Sequence, residues 1–190
     1  NITLEAGEEY TDLGAYWKDI VDGEGVPTAR GEVNVMIPDN YYIYFNHTDT
    51  SGNEAVTVTR TIHVVDTTIP VIVLNGDANL THEAASEYFD LGAYWTDIVD
   101  GEGVAPATGE VNVMIPGKYS LSFNHTDSSG NEAVTVTRLV DVVDTIHPVI
   151  TLNGVPNLNH EAGMEFIDPG AVWNDLVDGN GTTDATGNVN

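Results

Sequence analysis

"EAVTVTRTIHVV", residues 54–65, alternates with a period of two: Val56, Val58, Ile62 and Val64 share one face, while Thr57, Thr59, Thr61 and His63 share the other. That period belongs to a strand with one buried face, not to a helix. The same reading places Tyr41, Ile43 and Phe45 inward and Tyr42, Tyr44 and Asn46 outward. "VNVMI" at 33–37 is expected to be a further alternating strand, and "DTSGN" at 49–53 carries the turn chemistry that joins two antiparallel strands. Short strands with turns about every 8–12 residues, and no helical stretch, predict an all-β chain built of small sandwiches. Tyr41 and Tyr119, each at the start of the strand before that hairpin, fit either a tyrosine corner or plain core packing.

The pattern recurs. A shift of 78 residues places Glu5 on Glu83 and Glu161, Asp12 on Asp90 and Asp168, and Trp17 on Trp95 and Trp173, without gaps. Residues 1–66 differ from 79–144 at 18 of 66 positions, and 144–190 differ from 66–112 at 19 of 47. "VVDTTIPVIVLNG" at 64–76 returns as "VVDTIHPVITLNG" at 142–154, a strand, a bend closed by Pro and another strand. We read these as linkers, which gives a first repeat at 1–65 without its first strand, a complete repeat at 66–143, and the N-terminal part of a third at 144–190. Asn190, the counterpart of Asn112, falls inside an expected strand. The expectation is an excerpt of a longer array, or a chain whose ends neighbouring molecules complete; residues 144–156 match the segment that would precede Asn1 and could supply it by strand exchange.

Composition narrows the partners. The chain has 190 residues, 41% of them hydrophobic, with 30 acidic residues against 5 basic ones for a net charge of −25. Such a surface repels nucleic acid and anionic lipid and favours cations. No apolar run reaches the roughly 18 residues of a membrane span. There are no cysteines, so disulfides and thiolate chemistry are excluded.

The succession "EAxxEYxDLGAYWxDIVDGEG", "GEVNVMIP", "YxxxFNHTDxSGNEAVTVTR" and "VVDTxxP" resembles the bacterial immunoglobulin-like repeat of large surface and secreted proteins, the type seen in pesticidal crystal proteins, and is similar to the hyalin repeat in its hairpin and its ending. The resemblance covers the whole chain. It implies tandem immunoglobulin-like β-sandwich domains used in adhesins, stalks and coats, an extracellular location and no catalytic residues.

"DIVDGEG" at 19–25 and 97–103, and "DLVDGNG" at 175–181, crowd carboxylates beside glycines. Asp19, Asp22 and Glu24 lie within six residues, and Gly23 and Gly25 permit a tight turn. Like charges forced together call for a hard cation, and calcium tolerates irregular oxygen sets better than magnesium does. A single loop offers too few ligands, so the linker Asp66, the hairpin Asp49 and Asn53, or Glu5 and Asp12 would complete the set. The candidate calcium ligands are therefore Asp19, Asp22, Glu24 and Asp49; Asp66, Asp97, Asp100, Glu102 and Asp127; and Asp144, Asp175 and Asp178. Asn180 replaces Glu102 in the third repeat, which removes one charge. A site drawing on linker and loop would stiffen the joint between repeats. The same residues also suit ordinary solvated turns on an acidic surface; it is the crowding that favours metal.

His47 and His125, in "FNHTD", are expected to hydrogen-bond the hairpin carboxylate, and Trp17, Trp95 and Trp173 to pack in cores. Asn46, Asn79 and Asn124 lie in N-x-Thr sequons and are candidate glycan acceptors. No nucleophile and base pair, phosphate loop or basic patch appears. Two readings of function remain. One is a structural repeat of an extracellular prokaryotic filament, stalk, adhesin or surface layer, its joints rigidified by calcium and its partners neighbouring copies. The other is a spacer or glycan-binding module of a secreted enzyme or toxin, recognising cell-surface glycans through Tyr42, Tyr44 or a tryptophan.

Overall fold

The computed structural model describes residues 1–187; the last three residues of the third repeat, with the expectation that Asn190 falls in a strand, lie outside them. None of the described residues is helical, so none forms a helix long and apolar enough to cross a membrane. In chain order the strands are β1 Ile2–Glu5, β2 Trp17–Asp19, β3 Gly23–Gly25, β4 Thr28–Arg30, β5 Asp39–Asn46 and β6 Val58–Val65 in the first repeat. The middle repeat holds β7 Val71–Leu74, β8 Asn79–Glu83, β9 Ala93–Asp97, β10 Gly101–Ala105, β11 Ala107–Thr108, β12 Gly117–Phe123 and β13 Val136–Val143. The third holds β14 Val149–Leu152, β15 Ala171–Asp175 and β16 Gly179–Thr183.

These strands fall into two compact units whose boundaries cut across the repeats. The first unit comprises Asn1–Val73, Gly92–Pro106 and Phe123–Val136. Its largest sheet runs β1-β6-β5-β4, with β1 parallel to β6 and the other neighbours antiparallel. The alternation seen in the sequence places Ile43, Phe45, Ile62 and Val64 on the buried face, where Ala6 joins them. Leu4, Tyr10, Ala15, Val33 and Tyr41 pack around this cluster, as does Val99 from the next repeat. The same unit contains the hairpin β2–β3 and the sheet β10-β9-β7.

The second unit comprises Leu74–Leu91, Ala107–Ser122 and the chain from Thr137 onward. Its sheet β11-β12-β13-β8 repeats the first one, again with a parallel pair, β8 along β13. Ala84, Val140 and Val142 form the core, covered by Leu80, Tyr88, Val111 and Tyr119, and by Val177 from the third repeat. The antiparallel sheet β14-β15-β16 completes it.

Three local expectations are corrected. "VNVMI" is a turn, not a strand, because the Asn34 side chain accepts the Met36 N–H and the Asn34 carbonyl accepts that of Ile37; a local acceptor outcompetes a sheet partner. Asn112 does the same for Met114 and Ile115. Val56 is exposed, and regular pairing of its strand begins only at Val58. His47 and His125 do not bond the hairpin carboxylate: their rings stack on Trp17 and Trp95 at 4.0 and 3.9 Å. The oxygens of Asp49 are already taken by the N–H groups of Ser51 and Asn53 and by the Asn53 amide. Both readings of Tyr41 and Tyr119 hold: each ring packs against its core cluster, and each hydroxyl donates to the carbonyl four residues back, Ile37 and Ile115.

Candidate metal centre

The two "DIVDGEG" loops and their third counterpart are tight turns between antiparallel strands. In each, the first aspartate folds back on its own loop: Asp19 Oδ1 accepts the N–H groups of Val21 and Asp22, Asp97 Oδ1 those of Val99 and Asp100, and Asp175 Oδ1 those of Val177 and Asp178. Hydrogen bonds to the ionised form lower a carboxyl pKa. Asp19 accordingly titrates below the ordinary range, chiefly through the Asp22 and Val21 N–H groups, with the nearby Asp49 charge opposing. Asp175 is lowered by the Asp178 and Val177 N–H groups.

In the first two loops the carboxylates are parcelled out and do not gather at a point. Asp22 turns to the hairpin, accepting both N–H and hydroxyl of Thr50; Asp100 does the same with Ser128. Glu24 and Glu102 sit on β3 and β10 opposite Lys18 and Thr96, exposed. Glu5 latches the linker through Thr67 and Thr68, and Asp12 pairs with Arg60.

What does gather comes from three different segments. Asp66 follows β6 in the linker, Asp97 ends β9, and Asp127 opens the hairpin turn of the middle repeat. Each offers an oxygen within 4.8 Å of the others. Asp66 and Asp127 are both 8% exposed. Asn131 ties the group together, its amide donating to the Asp66 carbonyl at 3.1 Å and to Asp127 Oδ2 at 2.8 Å. Asp127 titrates below the ordinary carboxylate range: burial pushes it up, but the Asn131 amide and the N–H groups of Asn131, Ser129 and Gly130 outweigh burial. No donor reaches Asp66 Oδ2 or Asp97 Oδ2, although both atoms are buried. No described ion pair involves the trio; those present are Arg60–Asp12, Lys118–Asp141 and Arg138–Asp90.

At 4.8 Å, two unit charges repel by about 3–4 kcal/mol at an effective dielectric near 20. A buried carboxylate oxygen without a donor adds a further cost of about 1–3 kcal/mol. One divalent ion among the three side chains removes both, and an all-oxygen donor set suits a hard cation such as calcium. A second trio, Asp144, Asp175 and Asp178, lies at the next linker, with Asp175 at 8% exposure. Its members are the linker aspartate and two from the loop.

Strand parity also marks one repeat position, occupied twice, that the motifs do not reveal. Arg60 and Arg138 lie on the inward row, between Val58 and Ile62 and between Val136 and Val140. Arg138 is almost wholly buried; it pairs with Asp90 and donates to the carbonyls of Asn75 and Asp77. A charged residue in an otherwise apolar row was the available signal. Among the sequon residues, Asn46 and Asn79 are exposed, and Asn124 is half-buried with its amide on Glu132.

The sequence model of a family described as "Bacterial surface protein, Ig-like domain" matches residues 1–64 and 72–142. No curated protein matches the chain.

Proposed function

The chain belongs to the Ig-like domain family of bacterial surface proteins, and from that premise we propose that it is a non-catalytic structural segment of an extracellular filament, stalk, adhesin or surface layer, with calcium at each linker. Its repeats are tandem immunoglobulin-like β-sandwich domains. The observation that carries the cation is the pair of donorless, buried oxygens on Asp66 and Asp97, set beside Asp127. Because Asp66 stands in the linker directly after β6 of the first repeat while Asp97 and Asp127 lie in loops of the middle repeat, an ion held by all three ties the linker to the repeat it enters. Freedom at a linker is what a stalk must lose in order to transmit a pull or hold its reach.

The test is calorimetric titration of calcium into chelator-treated protein, with melts in parallel. Saturable binding is expected, and calcium at a hundred times its Kd stabilises by about 2.7 kcal/mol. Asp97→Asn should weaken the affinity. Absence of heat, with melts indifferent to calcium and chelator alike, rejects the site.

The glycan reading has one observation in its favour: Tyr42 and Tyr44 are exposed on the outer face of β5, ring centroids 6.5 Å apart. The middle repeat has Ser120 and Ser122 there. A platform present in one repeat of two supports a spacer with incidental contacts better than a dedicated lectin.

A further inference from the structure

One face of the first repeat differs in kind from its counterpart. On the outward side of β1-β6-β5-β4, strand register sets Arg30, Tyr44 and Thr59 in one row, Tyr42 and Thr61 in the next, and Asn40, His63 and Thr3 in a third. Six of these eight positions change in the middle repeat, where Thr108, Ser122, Ser120, Leu139, Lys118 and Asp141 stand for Arg30, Tyr44, Tyr42, Thr61, Asn40 and His63. Over the whole of residues 1–66 the two repeats differ at only 18 of 66 positions, so the change is concentrated here. Both repeats have the same four strands in this sheet, and the contrast is therefore one of side chains.

The middle repeat's face closes its charges on each other, Lys118 donating to Asp141 at 2.8 Å. In the first repeat none of the eight residues is acidic, on a chain with 30 acids. Arg30 is exposed, and among the described residues it makes no ion pair, whereas Arg60, Lys118 and Arg138 each hold an aspartate. Tyr42 and Tyr44 stand beside it, 46% and 45% exposed, their ring planes 26° apart. His63 is bonded to Asn40, and the three threonines add hydroxyls. No aliphatic side chain lies on these rows, so the face lacks the apolar anchor that a protein partner would bury. What it offers is two aromatic plates and a planar guanidinium, bordered by hydroxyls and an amide.

We propose that this face binds an acidic polysaccharide, a chain of uronic-acid sugars, with Tyr42 and Tyr44 against the CH-lined faces of two successive sugars and Arg30 paired to a sugar carboxylate. The inference goes beyond the structural role and uses neither the cation nor the joints. The guanidinium fork matches a carboxylate with two parallel hydrogen bonds. A net charge of −25 repels an anionic polymer from most of the surface, and the one face that carries an unpaired arginine and no carboxylate on its rows decides where the polymer lies. The contact is single and weak for one chain, as suits a structural segment, and it gains strength where many copies meet one polymer.

The test is an amide NMR titration of the labelled chain with a uronic-acid hexamer, in chelator so that calcium cannot bridge the sugar to the protein's own carboxylates. Saturable shifts confined to the rows of Arg30, Tyr42 and Tyr44 are expected. Binding should weaken about tenfold or more for the methyl-esterified hexamer and for Arg30→Thr, since each removes a charge-assisted pair. The double variant Tyr42→Ser, Tyr44→Ser should lose the shifts. These substitutions install side chains that the middle repeat carries at the same places, and the remaining amide signals report that the fold is kept. No saturable shift, equal shifts on the middle repeat's face, or equal binding by the esterified hexamer would overturn the proposal. Equal shifts with a glutamate oligomer would overturn it too, by showing a site for any polyanion. With calcium absent throughout, none of these outcomes bears on the calorimetric test of the linker sites.

Discussion

The two glycines of "DGEG" do different work. Gly101 has φ +85°, in the left-handed region where only glycine rests without strain, and it turns the loop. Gly103 has no such need. A Cβ there would lie 2.7 Å from Trp95 Cζ2, and the indole cannot retreat because His125 is stacked on it. The sequence suggests a turn at both positions; the second is instead half of a slot that holds a tryptophan, as Gly25 and Gly181 also are. Gly103→Ala should therefore destabilise the chain by about 1–3 kcal/mol, the usual cost of overpacking. Its near-ultraviolet circular dichroism should change with it. A neutral outcome in chemical denaturation would show that the stack yields freely.

At the scale of elements, the repeated loop is a connector. Val99 packs on the cluster of Ala6, Ile43, Phe45, Ile62 and Val64 of the repeat before it, and Val177 does the same for Ala84, Val140 and Val142. Ile98 lies against the backbone of Gly7. The apolar "IV" between two acids looks in sequence like an ordinary strand end, but it is the plug that seats one repeat on another. Val99→Ala should cost about 1 kcal/mol from the lost methyl groups. Val21→Ala, at an exposed position in the first repeat, should stay within about 0.5 kcal/mol. Equal effects in denaturant melts would deny the plug. The Glu5 and Glu83 latches act beside it, each carboxylate binding the threonine that follows the linker aspartate.

Across the whole molecule, a net charge of −25 makes stability depend on what neutralises or binds the acids. Glu5 and Glu83 titrate below the ordinary carboxylate value, chiefly through the Thr67 and Thr145 N–H groups. Their contribution is complete above the unfolded value near 4.3 and is lost as pH falls through the lower folded value. At the other extreme, burial and the bond to Asp90 push Tyr88 up to about 12. Unfolded tyrosine gives up its proton near pH 10, so between about 10 and 12 the folded chain holds more protons and stability falls as pH rises. Titration of tyrosinate absorbance should show a latest group that is lost in Tyr88→Phe and that moves to the ordinary range in denaturant. If all tyrosines titrate together near 10 in the folded chain, the Tyr88 environment is not as described.

The sequence by itself determined the strands whose periodicity is local, the 78-residue repeat, and the crowding of acids at linkers and loops. It also held the inward Arg138, visible as a charge in an apolar row. Only the tertiary structure decided which acids meet. Asp22 and Glu24 stand next to Asp19 in the chain, yet a threonine of the hairpin takes one and strand alternation turns the other outward. Asp66, Asp97 and Asp127 stand far apart in the chain, and sheet pairing and the Asn131 bridge bring them together. Neighbours in sequence share a backbone, but carboxylates share a cation only where strands and loops end at one place, and that is settled by pairing between distant segments.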